Sequence, residues 1–254
     1  MRAYLEAALA RPGTLGLLLV GSRAMGWAAP GGDYDVLILV PPEHERSLAA
    51  EEAQVFLFAE GEFPKRMIGN FSYISERTLA AQLDSPLDVD HWTYQDAVVL
   101  LDRTGRLADW CRRLSALPEP ARRERTVQRY LQVAIALSYA TADDVRGFAA
   151  DRQMNLFRGA LAGLHLWFAL RGRWAPPLKW WTREVDRLEM RPDTRGILEA
   201  AVLNPSLETL IPMRDHLKAE MRAAGLTEVE DLTRAFVERL RPERRDDAYR
   251  HTYL

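Results

Sequence analysis

The chain has 254 residues, which is enough for one large domain or two smaller ones. Apolar residues make up 48% and charged residues 28% of the chain, a balance that excludes the disordered and fibrous classes. The formal net charge of −2 creates no overall positive field that would attract DNA or RNA, so it favours a small-molecule or protein substrate. The single cysteine, Cys111, excludes an internal disulfide and a cysteine-rich zinc site.

The first half of the chain mixes strand-like and helix-like segments. Four short apolar runs, each ended by turn or capping residues, predict buried strands. These runs are Leu15–Val20, Asp35–Val40, Phe71–Ile74 and Ala97–Leu101. Ser75, followed by Glu76, predicts the start of a helix, and the segment from Asp102 to Gly105 predicts a turn after the last strand.

From about Gly105 onward, apolar residues recur at helical spacing. The clearest series run from Val127 to Ile135 and from Met154 to Phe168, and further helices are predicted at Trp180–Arg187, Thr194–Val202, Leu207–Ala224 and Val229–Leu240. We therefore expect an α+β N-terminal domain at residues 1–105, with a mixed sheet flanked by helices, and an all-α C-terminal domain at residues 106–254. Because the N-terminus has no signal-peptide pattern and no apolar run reaches the length of a membrane span, we expect a soluble, cytoplasmic protein.

The segment that carries chemistry runs from Leu18 to Leu39 and is LLVGSRAMGWAAPGGDYDVLIL. Residues i and i+2 of a strand point to the same face, so Asp33 and Asp35 are expected to project together. A cation relieves the repulsion between two adjacent carboxylates, and hard oxygen ligands suit Mg²⁺. Gly21 permits a close approach of the backbone to a phosphate, to which the Ser22 hydroxyl and the following N–H groups can donate.

This order of an apolar strand, Gly-Ser-Arg, Asp-x-Asp and a second apolar strand resembles the motif of nucleotidyltransferases of the DNA-polymerase-β superfamily. It is neither a P-loop nor a dinucleotide-binding fingerprint. The resemblance implies that Asp33 and Asp35 are catalytic residues and ligands of Mg²⁺, and that Gly21, Ser22 and Arg23 bind a nucleoside triphosphate. In-line attack on the α-phosphate would then release pyrophosphate.

Members of this superfamily usually add a third carboxylate from a later strand. The matching strand here, residues 68–75, is IGNFSYIS, so the resemblance places the catalytic position at Asn70 or, with a two-residue shift, at Ser72. Neither residue is acidic, and an Asn can offer a carbonyl oxygen but no charge and no base. Acidic residues nearby in sequence are Glu60, Glu62, Asp96 and Asp102, of which Asp102 is expected to cap a turn.

Two segments of the helical half are further candidates. Asp151, Asn155, Arg158 and His165 share one polar stripe, which is either a solvated helix face or the wall of a cleft in which Arg158 reaches phosphate. The segment from Leu170 to Trp181 resembles the helical partner domain of small-molecule nucleotidyltransferases. That resemblance implies contact between Lys179 and the triphosphate and stacking of Trp180 or Trp181 on a base, although both tryptophans can instead anchor helix packing.

The sequence therefore predicts a Mg²⁺-dependent nucleotidyltransferase that moves a nucleoside monophosphate, with AMP as the expected group, to a hydroxyl of a small molecule such as an antibiotic. A protein adenylyltransferase is one alternative. A nucleotide-binding sensor with weakened or no catalysis is another, because the third carboxylate is missing. The expected partners are a nucleoside triphosphate and a small-molecule acceptor, without long nucleic acid or a membrane.

Overall fold

A computed structural model describes residues 2–61 and 66–226. These residues form two compact units, one that ends at Ala116 and one that begins at Leu117. The predicted helix Val229–Leu240 and the predicted acidic candidate Glu62 lie outside the described residues. None of the helices in the described ranges combines the length and the apolar character that a membrane crossing requires.

In its described part, the first unit alternates helices with five strands. Its elements are α1 (Arg2–Ala10), β1 (Gly16–Val20), α2 (Gly21–Ala24), β2 (Tyr34–Leu39), α3 (Pro42–Ser47), α4 (Ala50–Ala53), β3 (Gln54–Phe58), β4 (Met67–Ile74), α5 (Glu76–Gln82), α6 (Asp88–Trp92), β5 (Val98–Asp102) and α7 (Leu107–Ser115). The four predicted strands correspond to β1, β2, β4 and β5, whereas β3 was not predicted. As predicted, Ser75 caps a helix: its hydroxyl accepts the N–H of Thr78 in α5 at 3.4 Å.

The strands form one sheet in the order β3-β4-β2-β1-β5. Strands β2 and β4 are parallel and the other neighbours are antiparallel, so the sheet is mixed, as expected. Alternate side chains enter two cores, one on each face of the sheet. Val36, Ile38 and Phe71 pack against α1 on one face, while Leu18 and Leu39 pack with helices α5 and α7 on the other.

The first unit includes helix α7 and therefore ends later in the chain than the boundary predicted after Gly105. Leu107 and Leu114 of α7 are fully buried in the same core as Leu18 of the sheet. An amphipathic helix that buries its apolar side against a sheet belongs to that sheet's core. The division of the chain therefore follows Ala116, and α7 belongs to the first unit.

The second unit consists of helices in its described part. They are α8 (Glu119–Arg146), α9 (Ala149–Leu170), a 3₁₀ turn (Leu178–Trp180), α10 (Trp181–Arg187), α11 (Pro192–Leu203) and α12 (Leu207–Ala223). Its core surrounds α9, where Trp167 and Phe168 are almost completely buried. Gly159 permits the close approach of α9 to its neighbours, because a Cβ there would lie 2.7 Å from the Leu210 side chain.

Candidate functional site

Three strands bring the predicted site residues of the first unit to one end of the sheet. Asp35 lies directly opposite Val20 of β1 on one side and Asn70 of β4 on the other. Gly21 follows Val20 at once, so the carboxyl end of β1 meets the amino ends of β2 and β4. Asp33 immediately precedes β2.

Gly21 lies against the carboxylate of Asp35. Its φ is +69°, and a Cβ added there would lie 2.5 Å from Oδ2 of Asp35. Only glycine combines this backbone conformation with this close approach at low cost. Packing against Gly21 therefore determines the position of one carboxylate oxygen of Asp35.

Asn70 determines the environment of the other oxygen. Its Nδ2 donates to Oδ1 of Asp35 at 3.3 Å, and its Oδ1 accepts from Nε2 of Gln54 at 3.2 Å. This relay crosses β3, β4 and β2 on one face of the sheet. The strand register thus selects Asn70 rather than Ser72, which lies opposite Leu37, as the residue next to Asp35.

Arg23 holds the loop that carries Asp33. Its Nε donates to the backbone carbonyls of Gly32 at 3.2 Å and Asp33 at 2.9 Å, and a terminal nitrogen also donates to Gly32. The guanidinium stacks 3.8 Å from the ring centre of Tyr34. Arg66 adds another hydrogen bond to this loop, of 2.7 Å to the Gly31 carbonyl. Three consecutive loop carbonyls are thus bound by arginine side chains, whereas the predicted contact of Arg23 with a nucleotide stays a prediction.

Ser22 is buried, and its backbone carbonyl accepts the N–H groups of Trp27 at 2.7 Å and Ala28 at 3.1 Å. These bonds begin the loop that leads to Asp33. A phosphate contact of the Ser22 hydroxyl stays a prediction, as does that of Gly21. Within residues 2–61 and 66–226, no side chain forms a hydrogen bond or ion pair with the Asp33 carboxylate.

Asp102 is remote from the candidate site. It lies opposite Gly16, at the other end of β1 from Val20, which corresponds to about 13 Å along the strand. Its carboxylate accepts the N–H groups of Thr104, Gly105 and Leu107. Burial opposes ionisation of Asp102, but these hydrogen bonds outweigh it and lower its pKa. Asp102 caps a turn, as predicted, and is not the third carboxylate.

The other acidic candidates do not complete a metal site among the described residues. Asp96 lies two residues before Val98, which pairs with Leu19, so it is at the Gly21 end of β1, but β1 and β2 lie between its strand and β4. Glu60 is exposed and follows β3, at the same end of the sheet as Asn70. In the described part of the chain, no group of three or more His, Cys, Asp or Glu side chains is placed to hold a metal ion.

The polar stripe of α9 lies in the second unit and is less solvated than a surface face. Asn155 donates to the buried Asp143 of α8 at 2.9 Å, and Arg158 and His165 are half-buried and engaged in contacts. Only Asp151 is exposed. Phosphate binding by Arg158 stays a prediction.

The Lys-Trp-Trp segment divides into two parts. Trp181 packs against the helical core, in line with an anchoring role. Trp180 is half-buried, with Lys179 Nζ 5.5 Å and the Arg183 guanidinium 5.9 Å from its ring centre. Lys179 is exposed, so its charge is available to an anion, and its predicted contact with a triphosphate stays a prediction.

Known families match both parts of the chain. Residues 2–103 match the nucleotidyltransferase domain, and residues 91–181 match a domain of unknown function, DUF4037. None of the curated proteins matches the chain. A solved structure, that of a nucleotidyltransferase-like protein from Exiguobacterium sibiricum 255-15, is 17% identical, and the alignment covers 95% of this chain and 79% of the other with a TM-score of 0.50.

The structural likeness concerns the fold, whereas the family match covers the whole segment that holds Gly21, Asp33, Asp35 and Asn70. The match confirms the resemblance inferred from the Gly-Ser and Asp-x-Asp motifs. Residues 2–103 thus match a nucleotidyltransferase domain, and the DUF4037 match overlaps the end of that range and extends to residue 181.

Proposed function

We propose that the protein is a Mg²⁺-dependent nucleotidyltransferase that moves a nucleoside monophosphate, with AMP as the expected group, from a nucleoside triphosphate to a hydroxyl of a small molecule. The observation that carries the proposal is the position of Asp35. One of its oxygens packs against the Gly21 turn and the other faces Asn70, within a nucleotidyltransferase domain.

The donor set at this site fits a magnesium ion. Asp33 and Asp35 supply hard, negatively charged oxygens, and Mg²⁺ commonly takes one or two carboxylates and completes its shell with water and substrate phosphates. The Asp33 carboxylate lacks a side-chain partner among the described residues, so it is available to a ligand. When bound, the ion supplies charge that neutralises the phosphates during transfer.

The protein residues have separate roles in the proposed reaction. Asp33 and Asp35 would hold the metal, and Gly21 and Ser22 would receive the triphosphate. The acceptor oxygen forms a bond to the α-phosphorus. At the same time the bond from that phosphorus to the oxygen bridging the α- and β-phosphates breaks, and pyrophosphate leaves with its electron pair. The acceptor's proton passes to a base or to solvent water.

Arg158 and Lys179 of the helical unit are proposed as further phosphate contacts. Both are cationic, and Lys179 is exposed.

A net charge of −2 supports a small acceptor over long nucleic acid. A protein hydroxyl is the alternative acceptor, as in a protein adenylyltransferase.

A nucleotide-binding protein without turnover is the second candidate. The supporting observation is Asn70, which donates a hydrogen bond to Asp35 at the position where a third carboxylate is expected. An amide neither accepts the acceptor's proton nor adds negative charge for a second metal ion. Such a protein would bind nucleotide and leave it intact.

An acceptor screen distinguishes the two candidates. Labelled ATP, GTP, CTP and UTP are offered with Mg²⁺ or Mn²⁺ together with aminoglycosides, lincosamides or proteins, and both acceptor labelling and pyrophosphate are measured. Transfer that depends on Asp35 supports the enzyme. Metal-dependent nucleotide binding without any transfer supports the sensor, and absence of both contradicts the proposal.

A further inference from the structure

Two aromatic side chains on the edge strand β3 lie on the same face of the sheet as the candidate site. Phe56 and Phe58 are each 47% exposed. They alternate with Val55 and Leu57, which pack into the core on the opposite face. Phe56 lies directly opposite Asn70 in the register of β3 and β4.

This aromatic pair is unusual for an edge strand. Single exposed apolar residues are ordinary, but neighbouring ones on an unpaired edge favour unwanted association, and proteins commonly place charges there. Here the exposed face of β3 carries Gln54, Phe56 and Phe58 instead. Gln54 is part of the hydrogen-bond relay that ends on Asp35, so the aromatic pair continues the surface of the site.

The strand order puts the aromatic pair on the side of Asp35 that faces away from Gly21. Gly21 lies on the β1 side of Asp35, whereas Asn70 and Phe56 lie on its β4 and β3 side. If the triphosphate lies over Gly21 and Ser22, pyrophosphate leaves over β1. In-line displacement then requires the attacking hydroxyl to approach from the opposite side, over β4.

We propose that Phe56 and Phe58 form a platform on which the acceptor lays the flat, apolar face of a ring while its hydroxyl points over Asn70 toward Asp35. The proposal rests on the proposed function and adds the chemistry of the acceptor. Two strand spacings separate Phe56 from Asp35, roughly 10 Å, which a ring with a hydroxyl-bearing substituent can bridge. Aromatic faces bind other rings through stacking and edge contacts.

The platform also favours some acceptors over others. The exposed face of β3 itself carries no acidic side chain, and the exposed Glu51, Glu52 and Glu60 lie before and after the strand, so the platform offers rings rather than charges. An acceptor therefore needs an apolar ring face to bind there. The ring of the acceptor is either an aromatic ring or a sugar ring that presents its C–H face. An experiment with one probe of each kind distinguishes these two cases.

Fluorine NMR tests the platform without requiring turnover. The whole protein is labelled with 4-fluorophenylalanine, and the Phe56 and Phe58 signals are assigned with the single variants Phe56→Leu and Phe58→Leu. Benzyl alcohol and methyl α-glucoside are then titrated in the presence of ATP and Mg²⁺, in the millimolar range expected of such small ligands. We expect one of them to shift both signals and to leave those of buried phenylalanines such as Phe71 and Phe168 unchanged.

The double variant Phe56→Ala, Phe58→Ala separates this proposal from the proposed function. It should keep the wild-type affinity for ATP and Mg²⁺ and raise the acceptor KM roughly tenfold, with lincomycin and kanamycin as test acceptors. Leu100→Ala, an equally exposed residue of the opposite edge strand β5, is the control and should change neither value.

Three outcomes overturn the platform. The first is that neither probe shifts the two signals, and the second is that the double variant loses ATP affinity instead, which would assign the rings to the adenine base. The third is that the double variant binds the probes and acceptors as the wild type does. By contrast, a wild-type protein that fails to bind ATP and Mg²⁺ in calorimetry contradicts the proposed function itself. Thermal unfolding of each variant verifies that it is folded.

Discussion

Asn70 donates a hydrogen bond of 3.3 Å to the carboxylate of Asp35, directly across the parallel strands β2 and β4. The same carboxylate touches the Gly21 turn on its other side. Asp35 is therefore the residue on which three elements of the candidate site converge.

Replacing Asn70 by Asp tests whether a carboxylate at this position strengthens a metal site. Without metal, the new charge repels Asp35 and should lower the melting temperature. Added Mg²⁺ should raise the melting temperature of the variant more than that of the wild type, and transfer should increase if the wild-type site is only weak. Ser72→Asp, two residues along the same strand face, is the control. Equal magnesium effects in Asn70→Asp and the wild type would refute the assignment of this position.

Asp35→Asn should abolish Mg²⁺-dependent nucleotide binding, because the metal loses one of its two charged ligands. Isothermal calorimetry with ATP, with and without Mg²⁺, measures the effect. Asp84→Asn changes the net charge equally at an exposed position of the same unit and should bind as the wild type does. Wild-type binding by Asp35→Asn would remove the metal assignment.

Gly21→Ala should destabilise the fold through both its backbone conformation and the close approach of Asp35. Gly26 provides the matched control, since its φ is +71° and a Cβ there would meet nothing within 4 Å. Gly26→Ala thus measures the cost of the left-handed conformation alone, about 1 kcal/mol. Chemical denaturation should show a larger loss for Gly21→Ala. The additional loss of stability in Gly21→Ala should disappear when Asp35 is also replaced by Ala. If the additional loss persists in that double variant, the contact with Asp35 is not its cause.

Arg23→Gln should weaken metal binding even without nucleotide, because the loop that carries Asp33 loses the hydrogen bonds to Gly32 and Asp33. Hydrogen bonds to charged groups of this kind contribute about 1.5–3 kcal/mol each. Mn²⁺ binding followed by paramagnetic resonance measures the effect, and Arg77→Gln at an exposed helix position is the control. If Arg23 acts only on the nucleotide, Mn²⁺ affinity will stay constant and ATP affinity alone will fall.

Asp102 should contribute to stability in a pH-dependent manner. Its pKa is lower in the folded protein, so the stabilisation is complete above the ordinary aspartate pKa of about 4 and is lost as the pH falls through the folded value. Asp102→Asn should therefore lower the stability near pH 7 and flatten the decline in acid. Urea unfolding between pH 7 and pH 3 measures this difference, and parallel curves for the variant and the wild type would contradict it.

The sequence allowed the sheet to be anticipated where a strand is a continuous apolar run, as in β1 and β2. It did not reveal β3, because Gln54–Phe58 is short and directly follows the helical turn of α4. The boundary after Gly105 was too early because it was set where strand patterns give way to helical spacing, and the first helix beyond it, α7, belongs to the first unit. The return of Leu107 and Leu114 to the sheet is a long-range contact that local patterns do not contain.

The candidate site was predictable in its residue types but not in its contacts. Asn70 and Ser72 lie on the same strand face, so only the register with Asp35 distinguishes them. Arg23 was expected to meet a nucleotide, and the contacts in the structure are with backbone carbonyls, which every residue carries and no motif records. The platform residues were missed together with their strand.

The arginine contacts with the Asp33 loop have a consequence for protein engineering. Arg23 and Arg66 bind main-chain atoms, so the side chains of residues 28–30 can be exchanged without removing the bonds that hold the loop. Gly31 is different, because its φ is +78° and a Cβ there would lie 3.3 Å from the Arg66 guanidinium. A combinatorial library that varies residues 28–30 and keeps Gly31 would thus alter the rim of the site around an unchanged Asp33.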